Sequence, residues 1–179
     1  MLASVHSRGS AVLRLTRAPA RCVIPHASLR EDHVDDDLNL EALIADLLGR
    51  NKTLKIATAG GPLSPWIGGA YYAERDLFAL QVVLETHGNA MRNVQADERV
   101  AIMIAGDSPY AMFVQGEARA VIVDGDEAAA ARSALLAKNP EMEPFFSFPL
   151  RHVRLDVRRW RVTDVPKGWI PAKELRAPA

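Results

Sequence analysis

Hydrophobic spacing divides the chain into a helical segment followed by a series of strands. Apolar residues recur at the spacing of one buried helix face at Leu40, Leu43, Ile44, Leu47 and Leu48. Gly49 follows them, where a glycine often ends a helix in the left-handed conformation. These positions predict a helix over residues 40–48. From Thr53 the apolar period changes to two, which predicts a strand.

The pattern after Thr53 predicts six strands with short helices between them. The first strand begins at Thr53, and the other five cover residues 64–73, 77–84, 99–105, 111–123 and 152–163. We expect the strand at 111–123 to be the longest and the one at 152–163 to be the last. Helices are predicted over 90–96 and 127–138, the second capped by Asp126, and a turn over 74–76 joins the second and third strands.

The last predicted strand changes its alternation part-way along. The side chains of Val153, Leu155 and Val157 share one parity, whereas Trp160 and Val162 share the other. An extra residue near Arg158 and Arg159, a β-bulge, would keep all five on one face. Strands joined by such short helical segments do not form the βαβ pattern of a parallel sheet. The sequence therefore predicts a mainly β fold, an antiparallel β-barrel with flanking helices.

The two ends differ in composition from the middle. Residues 1–30 contain five arginines, four serines and no acidic residue, which fits either a disordered extension or an organelle transit peptide. We expect a disordered or targeting extension over residues 1–37, one barrel domain over 38–171 and a C-terminal tail over 172–179. The expected location is cytoplasmic, or organellar if the extension is a transit peptide.

Composition excludes several classes of function. The 179 residues include 22 Lys and Arg against 22 Asp and Glu, so the formal net charge is zero and a broad basic surface for nucleic acid is not expected. Apolar residues do not form a run of the ~18 that a membrane span needs. Cys22 is the one cysteine, so neither an intrachain disulfide nor a cysteine-based metal site is expected. Nucleic acid, membrane and metal partners are therefore not expected.

A polar turn that opens a helix is the most informative stretch of the chain. It contains Thr86, His87, Gly88 and Asn89 and directly follows a buried strand. The first amides of a helix lack intrahelical partners and lie at the positive end of its dipole, which suits a phosphate. The guanidinium of Arg92, one turn further on, matches phosphate oxygens. The alternative is an ordinary helix cap made by Thr86 or Asn89.

Several segments follow one another in the order and spacing of a known family. They are the helix at 40–48, the strands Leu54–Thr58 and Leu77–Val83, the turn and helix Thr86–Val94, the segments Ala96–Ile102 and Val114–Ala118, the helix at 126–138, and Trp160–Asp164 with Gly168. Together they resemble the pyridoxamine 5′-phosphate oxidase-like group of FMN-binding split β-barrels, over about residues 40–170.

The resemblance implies a split antiparallel barrel that forms a homodimer, holds FMN between its subunits and oxidises or reduces a small-molecule substrate. The residues assigned to FMN on this basis are Gln81, Val82, Val83, Thr86, His87, Gly88, Asn89, Arg92 and Trp66. The turn and Arg92 would hold the phosphate, the strand at 81–83 would line the isoalloxazine ring, and Trp66 would stack on the ring or on a substrate. Gly68 and Gly69 would let the backbone approach a flat ring closely.

The chain also departs from the family pattern. Ala90 stands where a lysine is usual and Glu98 where a proline is common, and the C-terminal Arg-x-His of the vitamin-forming oxidases is not evident. Vitamin synthesis is therefore not expected, and no catalytic residue is assigned. The alternatives are a deazaflavin in place of FMN, haem with His87 or His152 as axial ligand, and a non-catalytic flavin carrier or sensor. Apart from that role, His152 is expected to be exposed.

Overall fold

The structure is a computed structural model that describes residues 40–61, 64–106, 108 and 110–179, so the expected N-terminal extension lies outside the described residues. In chain order the elements are α1 (Leu40–Arg50), β1 (Thr53–Thr58), β2 (Trp66–Asp76), β3 (Ala79–Glu85), α2 (Asn89–Ala96), β4 (Arg99–Ala105), β5 (Phe113–Val123), α3 (Gly125–Lys138), a 3₁₀ helix (Pro140–Ser147), β6 (Leu150–Asp164) and β7 (Trp169–Arg176).

The strands of the described chain form one antiparallel sheet that closes on itself. Their order is β3-β2-β1-β4-β5-β6-β7, and β3 also pairs with β6. That additional pairing closes β1 to β6 into a six-stranded barrel, and β7 lies on β6 outside the closed ring. The antiparallel barrel predicted from the sequence is confirmed.

The strands β2 and β3 separate part-way along their length. Their pairing runs from Asp76 and Ala79 to Tyr72 and Val82. Beyond that point β2 stays paired with β1, down to Trp66, and β3 stays paired with β6, up to Glu85. The two strands therefore part toward the end of the barrel where α2 begins.

The barrel interior is filled by the inward-facing apolar residues of every strand. Trp160 is fully buried, and its indole Nε1 donates a hydrogen bond to the carbonyl of Leu77 at 2.9 Å. Gly116 lies opposite Trp160 in the register of β5 and β6. A Cβ atom at Gly116 would lie 2.8 Å from both Trp160 Cζ3 and Ile102 Cγ1, so the interior has room only for a glycine there. Truncation of a buried tryptophan to alanine typically costs about 3–5 kcal/mol.

The bulge predicted in the last long strand is present. Glu117 pairs with Arg159 and the next residue, Ala118, pairs with Val157, which leaves Arg158 as the extra residue. The apolar residues on both sides of it are buried: Val153, Leu155, Val157, Trp160 and Val162. The change of parity in the sequence was therefore a correct signal.

The predicted stop at Gly49 is wrong, because α1 continues through Gly49 to Arg50. The glycines with positive φ in the described chain are Gly60, Gly125 and Gly168, so Gly49 does not take the left-handed conformation. The Nδ2 atom of Asn51 donates to the carbonyl of Leu47 at 2.7 Å. A side chain thus satisfies a carbonyl at the end of the helix, which removes the need for a left-handed glycine.

Other predicted boundaries shift by a few residues. The turn between β2 and β3 lies at 77–78 rather than 74–76, and the backbone N–H of Phe78 donates to Asp76 Oδ1 at 2.8 Å there. The N-terminal flanking residue of α3 is Asp124, so Asp126 lies within the first turn instead of capping it. The longest strand is β6 with 15 residues, not β5 with 11.

The sequence analysis missed β7, so 152–163 is not the last strand. Residues 172–176, expected as a tail, form much of β7, which pairs with β6 from Asp164 to Arg159. Burial along β7 does not alternate, so it carries no period of two. Glu174 lies 3.2 Å from Arg159 and 3.6 Å from Arg161, and these ion pairs accompany the packing of Trp169 and Leu175 of β7 against the barrel core.

Candidate functional site

The corner between β3 and α2, residues 85–92, is held by the two elements on either side of it. Met91 is fully buried and Val94 is nearly so, which fixes α2 on the barrel. The Nδ2 atom of Asn93 donates to Thr58 Oγ1 at 3.1 Å, which ties α2 to β1. Arg92 points away from this packed face and is exposed.

The three turn amides of the corner are used within the protein. The N–H of Thr86 donates to the carbonyl of Pro149 at 2.9 Å, and that of Gly88 donates to the carbonyl of Glu85 at 3.0 Å. The N–H of His87 donates to the Glu85 carboxylate at 3.2 Å. The turn itself therefore offers no spare amide to a ligand.

The first amides of α2 are available. Within α2, the first backbone amide that bonds a carbonyl is that of Arg92, which donates to the carbonyl of Gly88 at 3.2 Å. In the described part of the chain the N–H groups of Asn89, Ala90 and Met91 have no hydrogen-bond partner, and Gly88 provides no side-chain cap. The alternative predicted from the sequence, a helix capped by the side chain of Thr86 or Asn89, is wrong, because no side chain of the described residues caps the start of α2. Three unpartnered amides at the positive end of a helix dipole are the kind of donor group that can hold an anion.

Glu85 is a residue of the corner that the sequence analysis did not single out. Its Oε2 atom lies 2.7 Å from the place where a Cβ of Gly88 would be, so the carboxylate lies against the start of α2. A carboxylate there stabilises the helix dipole but repels a phosphate that approaches the same end. The sequence did contain a signal for Glu85. Gln81, Val83 and Glu85 alternate with the inward-facing residues of β3, so Glu85 was to be expected on the outer face of the strand.

The residues assigned to the isoalloxazine ring do not share one open surface with the corner. The side chain of Val82 has 0 % exposure and lies in the barrel core. Val83 is on the outer face, packed against a cluster that includes Leu135 and Met142 of the segments crossing that face. Gln81 is also on the outer face and lines a separate cavity beside α3. Packed protein at Val83 thus lies between Gln81 and the corner.

An open surface exists instead on β2 and its neighbours. A cavity of about 310 Å³ has Lys55, Gly69, Tyr71 and Met103 among its lining residues. A Cβ at Gly69 would meet nothing closer than the Leu54 carbonyl at 4.0 Å, so the backbone is bare there. The ammonium of Lys55 has no ion-pair partner among the described residues.

Trp66 and His87 are both accessible to a ligand. Trp66 begins β2 and is 43 % exposed, although it is not among the lining residues of the β2 cavity. His87 is exposed in the turn of the corner. The structure therefore leaves both side chains accessible without bringing them into one cleft.

His152 is half-buried, so the expectation of an exposed side chain is wrong. The 3₁₀ helix covers it, and its ring stacks on Phe146 with centroids 5.9 Å apart. The guanidinium carbon of Arg132 lies 4.3 Å from the centroid of the Phe146 ring. Burial, and then the positive charge of Arg132, lower the pKa of His152 from its ordinary value, and its Nδ1 atom has no partner in the described residues. Both effects favour the neutral form of this imidazole.

Neither a metal cluster nor a membrane helix is found in the described ranges. Side chains of His, Cys, Asp and Glu do not gather there in a group of three that would hold a metal ion. Helices in the same ranges are too short or too polar to cross a bilayer.

Comparison with known proteins gives matches of structure only. The sequence matches no protein-family model and no curated protein. A heme-binding protein from Mycobacterium smegmatis is similar, with a TM-score of 0.61 and 22 % identity over 74 % of this chain and 57 % of that one. The chain thus spans little more than half the length of that protein.

Two further solved structures have the same fold. A candidate pyridoxamine 5′-phosphate oxidase from Listeria innocua matches with a TM-score of 0.57 and 14 % identity, over 70 % of this chain and 98 % of that one. An FAD-binding protein from Mesorhizobium loti matches with a TM-score of 0.55 and 17 % identity, over 66 % and 90 %. The neighbours are split-barrel proteins like the pyridoxamine 5′-phosphate oxidases, which confirms the resemblance at the level of the fold.

Proposed function

We propose that the chain is an FMN-dependent oxidoreductase that acts on a small molecule. The observation that carries the proposal is the group of unpartnered amides of Asn89, Ala90 and Met91 beside the exposed guanidinium of Arg92. Arg92 has no ion-pair partner in the part of the chain that is described. Backbone donors at a helix start together with a planar cation suit a doubly charged phosphate.

The isoalloxazine ring belongs on the surface of β2 in this proposal, rather than along residues 81–83. Gly69 leaves the backbone bare there, and β2 separates from β3 at the end of the barrel where the corner lies. FMN would supply hydride transfer, and the protein would orient the ring and tune its charge. The free ammonium of Lys55 would stabilise negative charge on the reduced ring.

Two features of the corner weaken the phosphate site without removing it. The Glu85 carboxylate lies against the start of α2, and Ala90 supplies no cation where relatives of this fold have a lysine. We therefore expect FMN to bind, but less tightly than in a corner without the acid. The neighbours described as a candidate pyridoxamine 5′-phosphate oxidase and as an FAD-binding protein are consistent with a flavin.

A homodimer is part of the proposal. Ile67 is 65 % exposed next to Trp66 at the start of β2, so two large apolar side chains adjoin the surface proposed for the ring. A second copy of the chain would cover them and close the groove, as the family resemblance implies. Light scattering on the purified chain should give twice the monomer mass; a monomer at micromolar concentration contradicts this part of the proposal.

The cofactor is tested by the absorption spectrum of the purified protein and by the mass of whatever it releases on denaturation. Flavin absorption near 450 nm, FMN by mass, and reduction of the bound flavin by a nicotinamide donor are the expected results. If the preparation is colourless, added FMN should raise the unfolding temperature. No thermal shift and no binding would contradict the proposal, and release of a deazaflavin would correct the cofactor. Binding without turnover would indicate a carrier or sensor.

Haem is the second candidate, favoured by the acid in the corner. Glu85 disfavours a phosphate, whereas the exposed imidazole of His87 is free to ligate iron. His152 is less suited, since Phe146 is stacked on it. The similarity to a heme-binding protein points the same way. A Soret band that is lost in His87→Ala and retained in His152→Ala would support haem and exclude FMN as the resident cofactor.

A further inference from the structure

A second cavity lies between α3 and the outer face of the barrel, away from the corner. Its volume is about 710 Å³, within the range of roughly 300–1,000 Å³ that small-molecule sites occupy. Gln81 of β3 is part of its lining. Gln81 and Thr86 are five residue steps apart along extended chain, a span of about 17 Å. The cavity is therefore separate from the proposed phosphate site.

Gln81 is the polar group that marks this cavity as a site. The residue is only 5 % exposed, and its Oε1 atom has no hydrogen-bond partner among the described residues. A buried carbonyl oxygen without a partner costs free energy, and native structures keep few of them. Leu80 and Val82 point into the barrel, whereas Gln81 shares the outer face of β3 with Val83, which packs against an apolar cluster, so the strand itself does not require a polar residue there. Gln81 belongs to the lining of the cavity, so its unpaired acceptor suits a ligand that carries a donor.

The charges around the cavity are already paired with one another. Arg75 Nη1 lies 3.5 Å from Glu127 Oε1, and Arg154 contacts the same carboxylate and also Asp156, at 2.7 Å. Asp126 is the second acid of the lining beside Glu127, so two arginines and two carboxylates line the cavity. A charged ligand would therefore meet as much repulsion as attraction, which favours an uncharged one.

The remaining wall is apolar and shallow. Ala130, Ala131 and Ala134 of α3 line the cavity. Side chains this small leave space between the helix and the sheet that leucine would fill. A flat apolar group fits against such a wall.

We infer that this cavity binds a small, uncharged, largely apolar molecule whose amide N–H or hydroxyl donates to Gln81 Oε1. A primary amide is the best match, because the Gln81 carboxamide both accepts and donates and can pair with a second amide edge to edge. The site does not depend on the proposed flavin, and its ligand is a substrate fragment or an effector of this chemistry.

Benzamide is the probe for this inference, with acetophenone as its matched control. Acetophenone has the same shape and carbonyl but replaces the NH₂ by a methyl group, so it lacks the donor. Titration of the full chain, followed by ¹H–¹⁵N NMR, should give a millimolar dissociation constant for benzamide and shifts at the amides of Gln81 and Ala134. Acetophenone should bind about tenfold more weakly, the effect of one lost hydrogen bond. Equal binding of both, or no binding of benzamide, would overturn the inference and leave Gln81 Oε1 as a site for water.

Two variants test the cavity without endangering the fold. Gln81→Leu removes the unpaired oxygen, so the unfolding temperature should rise while benzamide affinity falls about tenfold. Ala130→Phe places a ring from an exposed helix position across the cavity and should abolish binding, whereas Ala129→Phe, exposed and outside the lining, should leave it unchanged. Benzamide binding that survives Gln81→Leu and Ala130→Phe contradicts the site. Saturating FMN should not alter these results, so failure here leaves the proposed cofactor untouched.

Discussion

The interior beside Trp160 and the corner at the start of α2 lie in one small barrel and use their polar groups in opposite ways. Inside the barrel the indole N–H of Trp160 is bonded to Leu77, and the space opposite is so tight that Gly116 has no room for a Cβ. In the corner three amides of α2 and the guanidinium of Arg92 have no partner among the described residues.

The difference separates what the fold needs from what it leaves for a ligand. A hydrogen bond made inside the barrel spares the protein the cost of a buried unsatisfied group, so its loss appears as lost stability. An amide left unpaired at the surface is hydrated in the free protein and contributes little to folding. Substitutions in the interior should therefore change stability and leave binding unchanged, and substitutions in the corner should do the reverse.

The largest effect on stability is expected from Gly116→Ala. Its Cβ would lie 2.8 Å from Trp160 Cζ3 and from Ile102 Cγ1, so the core must shift and the free energy of unfolding should fall by about 1–3 kcal/mol. Gly49→Ala is the matched control, because a Cβ at this helical glycine meets nothing within 4 Å. It should stabilise the protein by about 0.5–1 kcal/mol. Urea unfolding measures both; equal effects of the two substitutions would show that packing at Gly116 is looser than described.

A smaller effect is expected from charge changes in the corner. Glu85→Gln removes the carboxylate that lies against the start of α2, and Ala90→Lys adds a cation there. Each should tighten FMN binding by about two- to fivefold, the strength of a charge at a helix end, while the free energy of unfolding falls by about 0.3–1 kcal/mol at most. Gln95→Lys adds the same charge at the exposed far end of α2 and should not change the affinity. Weaker binding by Ala90→Lys would show that the phosphate lies elsewhere.

The smallest effect is expected from pH acting on His152. Burial under Phe146, with Arg132 close by, lowers the pKa of this imidazole in the folded chain, so the unfolded chain binds a proton more readily. The stability that the neutral His152 contributes is therefore complete above its pKa in the unfolded chain, about 6.5. It is lost as the pH falls from there toward the lower pKa of His152 in the folded chain. The urea midpoint should drop between pH 7.5 and 5.5, and His152→Gln should reduce that drop. An unchanged drop in the variant contradicts this assignment.

Local periodicity predicted most of the barrel because each strand buries one face. The parity change around Arg158 even predicted the bulge. It could not predict β7, whose attachment to β6 includes ion pairs through Glu174 and whose burial does not alternate. The burial of His152 was equally inaccessible, since a separate segment, the 3₁₀ helix, covers it.

The candidate site was predicted less completely than the fold. The turn and Arg92 were recognisable because helix-start amides are a local property of the chain. Glu85 was missed because its effect depends on the direction that its side chain takes at the end of β3, toward the start of α2. Gln81 was assigned to a ring surface, but it lines the cavity under α3, since the position of α3 over β3 follows from tertiary packing.

The most direct test of the anion site is calorimetric titration of FMN into the wild-type chain and into Arg92→Ala. The account predicts binding that weakens by about 1.5–3 kcal/mol in the variant, the contribution of a charge-assisted hydrogen bond, with an unchanged unfolding temperature. Arg158→Ala, at the exposed bulge residue, should bind FMN like the wild type. Equal affinity of Arg92→Ala and the wild-type chain would contradict the placement of the phosphate at the start of α2.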